Sequence, residues 1–182
     1  MNEQQKRKIS TFMSLVLRHK PQEIGLQLDE NGWTSVSEFL DQMNSKGNNL
    51  DFESLEEIVD TNDKKRFAFN DEKTKIRASQ GHSVTIDLAL QEIVPPEILF
   101  HGTVEKFISE IKSKGLLKMS RQHVHLSKDK ETAIKVGSRR GKPVILIVDS
   151  AKMDKDGFKF YQSENGVWLT NTVPSNYIQF SI

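Results

Sequence analysis

His101, His123 and His125 lie on one short stretch of chain with Arg121 just ahead of the second pair. Imidazoles exchange protons near neutral pH and guanidinium groups grip anions, so this set can bind a charged ligand and move protons on it. His123 and His125 are two apart, so on a strand they share a face and Val124 points away. Arg121 joins that face if the strand runs straight there. A second basic group, Arg18-His19-Lys20, stands directly before Pro21. Each piece also has an ordinary explanation. A His before Gly-Thr serves as a hydrogen-bonded structural residue, and cations at a helix C-terminus gain ~0.3–1 kcal/mol each from the macrodipole.

The elements that position these groups follow from periodicity. Leu99–Thr103 and Arg121–Ser127 alternate as short strands. Between them Val104, Phe107, Ile108 and Ile111 mark a helix from Val104 to Ser113, with Thr103 as N-cap and Gly115 as stop. Earlier in the chain Ile9, Phe12, Met13, Val16 and Leu17 repeat at the helical period, and Pro21 bars extension past Lys20. Ile24, Leu26 and Leu28 alternate as a strand, and Asn31-Gly32 makes a turn. Ser35 and Glu38 form a capping box for a helix through Met43, and Asp51 caps another through Val59. Arg66–Phe69 and Lys75–Ala78 flank a polar turn as a hairpin. Helix, strand, helix, helix, hairpin is the order of a winged-helix domain. In the second half, Asp129–Val136 reads as a helix and 137–142 as a basic loop. Val144–Val148 reads as a buried strand, Phe158–Tyr161 and Val167–Leu169 as a hairpin across Asn165-Gly166, and Tyr177–Ile182 as a last strand. The fold class is α+β, with one lobe over 1–92 and a mixed or antiparallel sheet lobe over 93–182.

Composition sets the bounds. The 182 residues are 36% apolar and 28% charged, as in soluble globular proteins, and no run approaches the length of a membrane span. Cysteine is absent, which excludes disulfides and thiolate metal sites. The start lacks a signal-peptide core, so the cytoplasm is the expected compartment; a monomer is the expected state. A net charge of +1 is too small to coat nucleic acid, so any RNA contact needs a local basic patch.

Seven separate motifs, in order, then carry a resemblance. They are Leu17-Arg18-His19-Lys20-Pro21, Arg66-Phe67, Arg77-Ala78-Ser79-Gln80-Gly81-His82-Ser83 and Phe100-His101-Gly102-Thr103, followed by Val124-His125-Leu126-Ser127, Val136-Gly137-Ser138-Arg139-Arg140-Gly141 and Asn165-Gly166-Val167-Trp168-Leu169-Thr170. Essentially end to end, the chain resembles the RNA 2′-phosphotransferases. The resemblance implies a winged-helix RNA lobe and an NAD-binding lobe of the ADP-ribosyltransferase type. It implies transfer of an internal RNA 2′-phosphate, as left at tRNA splice junctions, onto NAD⁺ as co-substrate without a metal. The phosphate attacks the nicotinamide ribose, which gives a 2′-phospho-ADP-ribosylated RNA. The ribose O2″ then attacks phosphorus, releasing 2′-OH RNA and ADP-ribose 1″,2″-cyclic phosphate. The partners implied are 2′-phosphorylated, tRNA-like RNA and NAD⁺, with no membrane.

Carried over by motif, the catalytic set is Arg18, His19, Arg66 and Arg121. The NAD⁺-binding set is Arg77, Gln80, Gly81, His82, Ser83, His101, Gly102, Thr103, His125, Ser127 and Arg139, with Arg140 beside it. Where related transferases carry a third, acidic residue, this chain has Val167. An anionic phosphate needs no carboxylate to deprotonate it, so that replacement suits the chemistry. Three other readings stay open here. His101-Gly102-Thr103 and His125-Leu126-Ser127 also fit a two-histidine phosphodiesterase. The first lobe fits a plain nucleic-acid binder. His101, His123 and His125 are a conceivable three-imidazole metal site.

Overall fold

The computed structural model describes residues 1–62 and 64–180. It separates into two compact units, Met1–Ala89 and Leu90–Ile182, in an α+β fold with six α-helices and antiparallel pairing among the described residues. No helix of the described residues is long and apolar enough to cross a membrane.

In the first unit, α1 (Glu3–Arg18) starts at an Asn2–Gln5 capping box that the sequence reading passed over. β1 (Thr34–Ser35), α2 (Val36–Ser45), α3 (Phe52–Asp60), β2 (Phe67–Phe69) and β3 (Lys75–Ala78) follow. Asp51 caps α3 as read from the sequence, and Ser35 caps α2 by accepting from Glu38 N–H at 3.5 Å, one half of the expected capping box. The sheet runs β1-β3-β2, with Thr34 opposite Ile76 and Phe67 opposite Ala78. Ile9, Met13, Val16 and Leu17 of α1 pack with Phe39, Met43, Leu55, Ile58 and Ile76 in one core. Each fully buried large apolar side chain contributes ~1.5–3 kcal/mol. The expected strand over Ile24–Leu28 does not form. Pro21 opens a 3-10 turn over Pro21–Ile24, and Gly25 closes it at φ +69, a left-handed geometry that no strand contains.

The second unit carries β4 (Leu99–Val104), α4 (Ile108–Lys114), β5 (Leu116–Leu117), β6 (Val124–Leu126) and α5 (Lys130–Gly137). Then come β7 (Pro143–Val148), α6 (Ser150–Lys155), β8 (Phe160–Gln162), β9 (Trp168–Thr170), β10 (Thr172–Val173) and β11 (Ile178–Phe180). One sheet is ordered β11-β7-β4 and another β6-β9-β8, while β10 pairs with β5. Phe100 and Ser127 join the two larger sheets by exchanging backbone hydrogen bonds of 2.8 Å. Thr103 is not a helix cap. It pairs with Val144 inside β4, and the chain passes through a 3-10 turn, Glu105–Phe107, before α4 begins. The basic loop after α5 is likewise a 3-10 turn, Ser138–Arg140. The last strand begins at Ile178. Ser181 and Ile182, read from the sequence as part of it, lie outside the described residues.

Candidate functional site

In the first unit the end of α1 gathers several of the residues singled out from sequence. Pro21 stops the helix, so Arg18 is its last residue and His19 its C-cap. The backbone N–H groups of Ser83 and Val84 donate to the Arg18 carbonyl at 2.9 and 3.3 Å, docking the Gln80–Ser83 segment on the helix end. That docking sets Ser83 Oγ 2.9 Å from His19 Nδ1. Arg18 Nη2 donates to the Arg66 carbonyl at 3.3 Å, and Ser79 N–H donates to the same oxygen at 2.9 Å. Gly81, at φ +85, supplies the backbone turn between Gln80 and His82. Arg77, on β3, lies with its guanidinium carbon 4.4 Å from the centre of the Trp33 ring. Arg18, His19, Arg66 and Ser83 are thus brought together by direct contacts, with Arg77 on the adjoining strand.

His82 sits differently. It is 1% exposed, and among the described residues neither ring nitrogen has a hydrogen-bond partner. Burial pushes its pKa down to about 3, helped by the positive charges of Arg18, His19 and Arg77. The ring is neutral at any ordinary pH, buried within the influence of Arg18, His19 and Arg77.

In the second unit, His101 on β4 donates from Nδ1 to the His125 carbonyl on β6 at 3.0 Å. Burial lowers the His101 pKa, the hydrogen bond partly opposes this, and Arg140 and Arg121 lower it further. Arg121 does not extend the strand. It closes a turn through its N–H to the Lys118 carbonyl, yet its Nη1 still reaches 3.5 Å from His125 Nδ1. Desolvation and the charges of Arg140 and Arg139 lower the Arg121 pKa, so three guanidiniums crowd one region. Crowded cations of this kind favour an anionic ligand. His123 turns to Tyr161, with ring centres 5.7 Å apart. Burial, then Lys118, lowers its pKa.

Gly102 explains how Arg139 and Arg140 arrive there. A Cβ at this position would lie 1.9 Å from the Ala133 carbonyl oxygen and 2.9 Å from Gly137 N. Only glycine lets α5 seat on β4, and the turn after α5 then carries both arginines toward Arg121. Thr103 is buried, and Ser127 is engaged through its backbone with Phe100. Among the described residues, no three His, Asp or Glu side chains are gathered closely enough to hold a metal ion, and the His101, His123 and His125 set is no exception.

Two neighbours escaped the sequence reading. Trp33 precedes the two-residue strand β1, which is too short to show a period, so its stacking on Arg77 left no signal. Tyr161 and His125 both lie opposite Leu169, from β8 and β6 respectively. Flanking one residue from two sides places their side chains on one face, and the hairpin over 158–169 held that information.

A model of the RNA 2′-phosphotransferase, Tpt1/KptA family, matches residues 4–172. A probable RNA 2′-phosphotransferase of Flavobacterium johnsoniae is 63% identical over 180 residues, 99% of each chain. One from Fusobacterium nucleatum is 54% identical over 174 residues, 95% of this chain and 97% of that one. One from Streptomyces coelicolor is 47% identical over 180 residues, 99% of this chain and 98% of the other. The chain belongs to the RNA 2′-phosphotransferase family.

Proposed function

We propose that the chain transfers an internal RNA 2′-phosphate to NAD⁺ in the cytoplasm, by way of a 2′-phospho-ADP-ribosylated RNA. The products are 2′-OH RNA, nicotinamide and ADP-ribose 1″,2″-cyclic phosphate. On this reading the first unit, ordered α1-β1-α2-α3-β2-β3, is a winged-helix RNA lobe, and the second is an ADP-ribosyltransferase-like lobe. The observation that carries it is the joining of Arg18, His19 and Arg66 at the end of α1. A phosphate monoester is close to a dianion at neutral pH, and guanidinium groups bind it through paired charge-assisted hydrogen bonds.

In the second unit, Arg121, Arg139 and Arg140 suit an anionic group such as a pyrophosphate. His101, neutral and with Nδ1 committed to a carbonyl, offers Nε2 as an acceptor for a sugar hydroxyl. NAD⁺ supplies a ribose carbon whose leaving group departs as neutral nicotinamide. The first step therefore asks the protein to orient reactants rather than move a proton. In the second step a proton leaves O2″ and one reaches the RNA oxygen, and on this reading His19 is the candidate to handle one of them. Arg18 and Arg66 match the charge that develops on the phosphate oxygens.

The test is nicotinamide release from NAD⁺, assayed with EDTA present. The reading expects release only when a 2′-phosphorylated RNA is added. Release that ignores the 2′-phosphate, or turnover that EDTA abolishes, overturns it.

A further inference from the structure

Arg66 is held through its own peptide groups, and one face of α1 reaches both ends of the grip. Ser10, Ser14 and Arg18 are spaced four apart on α1 and share a side of the helix. At one end Arg18 Nη2 donates to the Arg66 carbonyl at 3.3 Å. At the other, Ser10 Oγ accepts from Asn62 Nδ2 at 3.2 Å. Asn62 Oδ1 in turn accepts from the backbone N–H groups of Arg66 and Lys64, both at 3.3 Å. The Asn62 carbonyl also accepts from Lys65 N–H at 2.8 Å.

The chain needs this hold. Lys65, directly before Arg66, sits at φ +39, a left-handed region that a long L side chain enters only under backbone strain. Left to itself, that residue relaxes toward negative φ and swings Arg66 with it. The side chain of Asn62 bonds the N–H groups on either side of Lys65, so one carboxamide opposes that relaxation.

We infer that Asn62 is a positioning residue for Arg66, fixing the guanidinium of Arg66 relative to that of Arg18 through a Ser10–Asn62–Arg66 relay. The inference rests on the proposal that these arginines bind the RNA 2′-phosphate. Asn62 itself touches no substrate. Its effect is on the spacing of two cations that must meet one phosphate together, where a displacement of about 1 Å costs up to a hundredfold.

The experiment compares the affinity of the full chain for a short RNA bearing one internal 2′-phosphate with that for the same RNA bearing 2′-OH. The proteins are wild type, R66A, N62A, N62D, S10A and N62A/K65G. The expected result is that N62A lowers the preference for the 2′-phosphate about ten- to a hundredfold, toward R66A, while affinity for 2′-OH RNA is unchanged. N62D keeps the acceptor for the Arg66 N–H and can accept from the Ser10 hydroxyl, so it restores most of the preference. N62A/K65G restores part of it, because glycine takes a positive φ without strain. A general packing role for Asn62 predicts neither rescue. S10A, at a half-buried helix position, breaks the relay where N62A compromises folding, and shows the same loss in smaller measure. If wild type and R66A discriminate and differ, but N62A and S10A match wild type, the inference falls and the functional reading stands. If wild type binds both RNAs equally, the functional reading falls and takes the inference with it.

Discussion

His101 donates its Nδ1 hydrogen to the backbone carbonyl of His125 across 3.0 Å, linking the two larger sheets of the second unit through one imidazole. A carbonyl only accepts, so the bond fixes the tautomer and leaves Nε2 as an acceptor. Burial and the charges of Arg140 and Arg121 keep the ring neutral. A free imidazole titrates near 6.5, and these causes hold this one below that. On the proposed function, NAD⁺ affinity is therefore expected to show no break as pH falls from 8 to about 6.5. Calorimetric titration across that range checks it, and a break in affinity near pH 6.5 contradicts a neutral His101 acceptor.

His82 makes a stability prediction. Its folded pKa of about 3 lies below the unfolded value near 6.5, so the unfolded chain binds the extra proton first. Stability from keeping this ring neutral is complete above pH 6.5. It declines as pH falls from there toward 3, by about 1.4 kcal/mol per unit at most. Replacing His82 with Asn removes the titration. Denaturant unfolding from pH 7 to pH 4 should show a steeper acid loss for wild type than for H82N. Parallel curves mean that His82 is protonated while folded.

Gly102 is the close contact between α5 and β4. Adding a Cβ 1.9 Å from the Ala133 carbonyl oxygen forces α5 outward, and the turn bearing Arg139 and Arg140 moves with it. Overpacking of this kind costs roughly 1–3 kcal/mol. The G102A variant is expected to unfold at lower denaturant and to need more NAD⁺ for half-maximal rate. An unchanged midpoint and KM show that the contact is not tight.

Much of this was legible in residue types because the signals are local. Ser35 and Asp51 cap helices through their own side chains, and Asn165-Gly166 turns a hairpin with Gly166 at φ +78. What stayed hidden depends on residues far apart in sequence. Alternation at Ile24, Leu26 and Leu28 resembles a strand, but these residues face a core shaped by other helices, and Gly25 breaks the extended path. Thr103 has the chemistry of a helix cap, and only pairing with Val144 reveals that its backbone is committed to a strand. Arg121 could be placed near His125 by spacing alone, but the turn that delivers it there could not. His82, in a polar motif, gave no sign that it would be 1% exposed.

The proposed division of labour between the two chemical steps can be read by residue. Orientation of the phosphate in the first step tolerates the loss of one group better than charge matching in the second. H19A and R121A are therefore expected to slow the second step by about 10²–10³ and the first step less. A single-turnover time course with labelled RNA and excess NAD⁺ should then show a slower-migrating 2′-phospho-ADP-ribosylated RNA. Loss of nicotinamide release in both variants, with no intermediate at any time, assigns these residues to the first step instead.

The most direct measurement follows the phosphorus itself. An RNA carrying a single radiolabelled internal 2′-phosphate is incubated with the protein, EDTA and NAD⁺, and the labelled products are separated. The account predicts that the label leaves the RNA as ADP-ribose 1″,2″-cyclic phosphate, one nicotinamide appears per phosphate lost, and omission of NAD⁺ leaves the label on the RNA. Label recovered as inorganic phosphate, or released equally without NAD⁺, makes the protein a hydrolase and contradicts the account.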